Sequence, residues 1–127
     1  MRQLAEYVRE YVDQLDGPRA EDAWHSLVEA GPSAFPYLAD AFRATTDTGV
    51  RVCLIEVVGQ YRSSDAVPFL AGLLDDRDPD IWKTALDSLV MIGGPDVRDV
   101  LAAAEMTATA DQRAWIAEAI QQHDESG

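Results

Sequence analysis

Cysteine is nearly absent from this chain: Cys53 is the only one in 127 residues. A single thiol excludes an intrachain disulfide and fits a reducing compartment. It stands among Val50, Val52, Leu54 and Ile55, surroundings that suit an inert, mostly buried thiol, and no histidine lies near it in sequence to activate it. Histidine is scarce as well. His25 and His123 are far apart, and neither opens a metal-ligand pattern such as HExxH. No glycine-rich phosphate loop is present, because Gly93-Gly94-Pro95 ends a helical pattern where a P-loop would begin one, and there is no GxSxG elbow. No apolar run approaches membrane-spanning length. The first residues, Met1-Arg2-Gln3-Leu4-Ala5-Glu6-Tyr7, carry an acid and lack the apolar run of a signal peptide, so a cytoplasmic location is expected.

Basic residues are few. Ten Lys and Arg stand against 23 Asp and Glu, a formal charge of −13. A surface this negative repels phosphate backbones and anionic headgroups, which disfavours nucleic acid and membrane surfaces and favours a basic protein partner. The same charge also serves solubility alone. Tyr7, Tyr11, Tyr37 and Tyr61 are too scattered to form a stacking platform for bases.

What the chain does have is periodicity. In residues 67–93, Val67, Leu70, Leu73 and Leu74 recur at three- and four-residue steps, residues 75–79 interrupt, and Ile81, Ala85, Leu89 and Ile92 resume the pattern. Asp78 suits the N-cap of the second helix, Pro79 its first position, and Gly93 its end. Such a pair exposes apolar faces that only similar neighbours can cover. A step of 31 residues supplies them: Leu27, Val58, Leu89 and Ile120 form one aliphatic column, Ala23, Leu54, Ala85 and Ile116 another, and Ala30, Tyr61 and Ile92 end the same face.

The spacing predicts second helices near 19–30, 49–61, 80–93 and 111–122, first helices near 33–43, 64–75 and 96–105, and an N-terminal helix at 3–15. On that helix Leu4, Val8, Tyr11, Val12 and Leu15 form one face, the pattern of a cap over the first repeat. The chain thus divides into a cap at 1–17, repeats at 18–122 and a frayed tail at 123–127 within a single domain. Pro36 and Pro68 fall early in first helices, where a missing N–H costs little. Ala102, Ala103 and Ala104 predict closer packing in the last first-type helix.

Pro68-Phe69-Leu70, Leu73-Leu74-Asp75-Asp76, Asp78-Pro79-Asp80-Ile81, Ala85, Leu89 and Ile92-Gly93 together resemble the HEAT repeat, in the short form known as phycobilisome-lyase-type HEAT-like repeats. Asp47, Gly49, Val50 and Arg51 resemble the same turn one repeat earlier, with Arg51 at the family's usual arginine. The resemblance covers roughly residues 19–122 and implies an all-α solenoid: about 7–8 helices in HEAT-like hairpins, in a right-handed stack. Trp82 replaces the arginine in the best repeat, which predicts a gap in the family's Asp–Arg ladder.

With the core on Ile81, Ala85, Leu89 and Ile92, steps of 100° per residue turn Lys83, Asp87 and Val90 outward. The equivalents are Glu21, His25 and Val28 in the first unit, Val52, Glu56 and Gly59 in the second, and Ala114, Glu118 and Gln121 in the last. One column therefore reads His25, Glu56, Asp87, Glu118. Helices pack about 8–10 Å apart, too wide for one metal ion but suited to separate Lys or Arg contacts. Val28, Val52, Gly59 and Val90 flank the acids as apolar ground that a partner could desolvate, although a solvated polar face accounts for the acids equally simply. Trp82, beside Lys83, suits an interface anchor or a packing residue; Trp24 and Trp115 suit packing.

The functional expectation is a non-enzymatic protein-binding module, a monomer or weak dimer, that uses Glu21, His25, Glu56, Trp82, Lys83, Asp87 and Glu118 against a basic protein, as an inhibitor or immunity-type protein does. His25 and Glu56 form a conceivable acid–base pair, but nothing nearby supplies a nucleophile, an oxyanion donor or an enclosing loop, so no catalytic residue, metal or cofactor is expected. The alternative that the resemblance implies is a lyase-like enzyme or subunit attaching a bilin; it would need a pocket for a tetrapyrrole and its propionates. DNA-repair HEAT-like glycosylases imply a cationic groove, which this charge denies.

Overall fold

In a computed structural model, residues 3–126 are described, and they form eight α-helices and no strand. The helices are α1 (Leu4–Val12), α2 (Ala20–Ala30), α3 (Phe35–Ala44), α4 (Thr48–Gln60), α5 (Val67–Leu73), α6 (Pro79–Ile92), α7 (Pro95–Thr107) and α8 (Ala110–Ser126). They stack as antiparallel pairs, α1–α2 to α7–α8, with the even-numbered helices side by side and α4 packed most extensively on α6. The result is the short all-α solenoid that the 31-residue step predicts.

Local chemistry sets the boundaries. Asp47 accepts from the Val50 N–H at 3.0 Å and caps α4, while Asp78 accepts from the Asp80 N–H at 2.9 Å and caps α6, with Pro79 following where its missing N–H does no harm. Gly31 and Gly93 end α2 and α6 at φ of 85° and 68°, a region that glycine enters without a Cβ penalty. Single 3₁₀ turns at Pro32–Ala34 and Ser64–Ala66 precede α3 and α5, which places Pro36 and Pro68 in the first turns of those helices. α8 departs from expectation. Instead of fraying at residue 123 it stays helical to Ser126, because the His123 ring lies 2.8 Å from the Gly94 carbonyl and Arg98 donates to Asp124 at 3.1 Å; Gly127 lies outside the described residues.

Most of the predicted columns form the core, with Ile120, Ala30 and Ile92 half-buried against it. Ala23, Leu54, Ala85 and Ile116 are all buried, as are Leu27, Val58 and Leu89. A second set runs along the seams between even-numbered helices: Ile55 and Leu86, and Val57, Ser88 and Ala119, are also buried. Backbone carbonyls are recruited across the seams. Tyr61 donates to the Leu27 carbonyl at 2.6 Å, Ser88 to the Ile55 carbonyl at 3.1 Å, and Tyr7 to the Ser26 carbonyl at 3.0 Å. Burial, reinforced by the Tyr7 hydroxyl, pushes the Tyr61 phenol far above its usual range, so it remains a donor at any physiological pH.

One expectation fails for an identifiable reason. The alanines of α7 are not closely packed: Ala102 and Ala103 are exposed and Met106 is 88% exposed, because no described helix covers that side of the last pair. The gap expected in the arginine ladder at Trp82 extends to the repeat before it. Arg51 turns back within its own repeat, donating to the Thr45 carbonyl at 2.7 Å and lying 4.9 Å over the Phe42 ring. The link between repeats passes instead from the Thr48 hydroxyl to Asp78 at 3.3 Å.

Candidate functional site

Three even-numbered helices, α4, α6 and α8, each turn one carboxylate out along a common edge. Glu56, Asp87 and Glu118 are all exposed, and their charges act on one another in order. Partial burial raises the Glu56 carboxyl above its usual range, and the charge of Asp87 raises it further. Asp87 is raised by the same two causes, with Glu118 as the neighbouring charge. The row is thus continuous across three repeats, with more negative charge than its surroundings compensate.

This repulsion has a consequence for stability. A carboxyl whose folded pKa lies above its unfolded value costs nothing in acid, where both states are protonated; stability is lost as pH rises through the interval between the two values. The unfolded references lie near 4.5 for Glu56 and 3.8 for Asp87. The double variant Glu56→Gln/Asp87→Asn should therefore melt slightly higher than wild type at pH 7, and the gain should vanish below about pH 4. Thermal melts at the two pH values check both the sign and the window.

The other predicted residues fall in different settings. His25 and Glu21 are exposed on α2, where His25 meets Trp24 edge-on at 5.1 Å. Lys83 is half-buried, its Nζ 4.5 Å from the centre of the Trp115 ring and 5.6 Å from that of Trp82. Trp82 itself is only 5% exposed. It meets Trp115 edge-to-face at 6.3 Å, so it packs between α6 and α8 and is not an exposed anchor. Gly59, expected on the open face, is buried against Ser88 in the α4–α6 seam. Val28, Val52 and Val90 are half-buried, and Val90 lines a cleft with Asp87 and Glu118.

Sequence reasoning missed Trp115. It is 44% exposed and forms one wall of a small cleft of about 140 Å³ with Leu86, Asp87, Val90, Glu118, Ala119 and Gln122. A signal was available: Trp115 occupies the position equivalent, at 31-residue steps, to Cys53 and Thr84, both only half-buried. Cys53 is a free thiol whose pKa is raised by burial and by the charges of Glu56 and Asp47, which keeps it protonated and poorly nucleophilic.

A larger cavity, about 520 Å³, opens between α1, α3 and the start of α4 over Val8, Val12, Ala41 and Val50. The corresponding space between α3 and α5 is filled by Phe69, whose ring lies 5.6 Å from that of Phe35 and 5.4 Å from that of Phe42. Among the described residues no group of three or more His, Cys, Asp or Glu is arranged to hold a metal ion, and no helix is long and apolar enough to cross a membrane.

The stacked hairpins and their open even-helix edge define an α-solenoid. The family model for HEAT repeats matches residues 23–121, and the chain belongs to that family. HEAT repeats generally mediate protein–protein interaction, and the family is typically a non-enzymatic scaffold. No curated protein matches the chain.

Proposed function

We infer that this protein is a non-enzymatic binding module whose α4–α6–α8 edge holds a basic surface of a partner protein. The observation that carries this reading is the row Glu56, Asp87, Glu118: exposed, mutually repelling, and set beside the half-buried Val52 and Val90. A cation brought to the row relieves repulsion that the chain leaves in place, and the valines supply apolar area to desolvate. Glu21 and His25 extend the edge along α2, and Lys83 limits it at Trp115. A net charge of −13 would steer such a partner in from a distance.

The acidic excess, 23 Asp and Glu against ten Lys and Arg, favours an inhibitor or immunity-type protein that masks a basic enzyme over an enzyme in its own right. Bilin attachment fits less well, because the cleft on this face holds about 140 Å³ and carries carboxylates that repel propionates. The test is a comparative pull-down from the native host with wild type and Glu56→Lys/Asp87→Lys. The reading expects basic proteins retained by wild type and lost by the variant; identical retained sets would overturn it.

A further inference from the structure

We propose that the cleft between α6 and α8 receives a single arginine side chain of the partner, with the Trp115 ring as its stacking wall and Asp87 and Glu118 as its charge partners. This rests on the reading that the even-helix edge binds a basic protein, and it names the anchor of that contact.

The carboxylates alone would be no more than a solvated face. Three further features of the cleft narrow the occupant. Its volume of about 140 Å³ admits one side chain and not a helix or a small-molecule cofactor. Its aliphatic lining, Leu86, Val90 and Ala119, suits the methylene stem of a long cationic residue. Its wall is a 44% exposed indole that already attracts a cation from within the chain, since Lys83 Nζ lies 4.5 Å from the ring centre.

Arginine fits these features better than lysine. A guanidinium is planar, stacks on an aromatic face and still presents paired N–H donors in its own plane to a carboxylate, whereas an ammonium is a compact point charge without a stacking face. One side of the ring is packed. Trp82, buried beneath, meets Trp115 edge-to-face at 6.3 Å.

The test uses two fluorescein-labelled peptides, one with four arginines spaced by Gly-Ser and one with lysines in the same places, titrated into the full chain at low salt. Wild type should bind the arginine peptide about threefold more tightly, because the ring attracts both cations and only the guanidinium adds stacking and paired N–H donors. Trp115→Leu, which keeps apolar bulk while removing the π face, should erase the preference and leave lysine-peptide binding within about twofold, with circular dichroism confirming the fold. Trp115→Ala should do the same. Equal affinity of wild type for the two peptides, or a preference that survives Trp115→Leu, would overturn the arginine anchor. If both peptides bind equally and Glu56→Lys/Asp87→Lys abolishes binding, the anchor falls and the acidic-edge reading stands. Binding indifferent to that charge reversal would overturn both.

Discussion

Gly59→Ala should destabilise the protein by about 1–3 kcal/mol, the usual cost of an extra methyl in a packed seam. Helix propensity alone points the other way, since alanine in a helix interior is favoured over glycine by about 1 kcal/mol. The seam decides the sign. A Cβ at Gly59 would stand 2.6 Å from Ser88 Oγ, 2.8 Å from Ser88 Cβ and 3.1 Å from Ser88 Cα. Rotating the serine hydroxyl away removes only the first of these contacts, and it also breaks the buried bond from Ser88 to the Ile55 carbonyl. The other two contacts involve atoms that move only if α4 and α6 separate. Chemical denaturation of Gly59→Ala should show a lower midpoint, and adding Ser88→Gly in the same chain should recover part of the loss by removing both side-chain atoms. A raised midpoint for Gly59→Ala alone would mean that the two helices are farther apart than described.

Reversing two charges on the open edge should have the largest effect on binding and little on folding. Glu56→Lys/Asp87→Lys turns the repulsion between positions 87 and 118 into attraction, while a Lys–Lys pair at 56 and 87 repels as the two carboxylates did, so the melting temperature should stay nearly level. Placing like charges against a basic partner costs several kcal/mol, on the order of a hundredfold or more in affinity. Wild-type affinity should also fall as salt is raised across the range where the Debye length shrinks below about 10 Å, and the variant should lose that dependence. Titration calorimetry at two salt concentrations measures both. A variant that binds normally would remove the acidic row from the interface.

Most of the architecture was legible in the residues because repeat packing imposes one period on every unit. Leu27, Val58 and Leu89 had to be aliphatic to meet the facing odd-numbered helices, and Asp47 and Asp78 had to cap, so spacing and capping chemistry located the even-numbered helices within a residue or two at most boundaries. What escaped was the lateral packing. A single apolar face per helix accounts for contact with the hairpin partner, but an inner helix of a stack is also covered by a neighbour on each flank. Ile55, Val57, Leu86 and Ser88 lie in those flanks. The same geometry buries Trp82 under α8, which decides for packing over an interface anchor, and buries Gly59, expected to face outward, against Ser88.

The acidic column was legible for the opposite reason: Glu56, Asp87 and Glu118 are exposed at equivalent positions of their helices, so angular position alone placed them. Trp115 was not. Its exposure depends on which of its flanks lacks a covering helix, a property of the stack's end and not of the local pattern. The tail was misjudged similarly, because polarity predicted fraying while the long-range contact of His123 with the Gly94 carbonyl holds α8 against the start of α7.

The central claim, that recognition takes place on the edge formed by α4, α6 and α8, is tested most directly by mapping backbone amide shifts as an isolated partner is titrated into isotope-labelled protein. The account predicts perturbations clustered around Glu56, Asp87, Trp115 and Glu118, with α3, α5 and the exposed side of α7 silent. Perturbations confined to those odd-numbered helices, or to the cavity between α1 and α3, would contradict it.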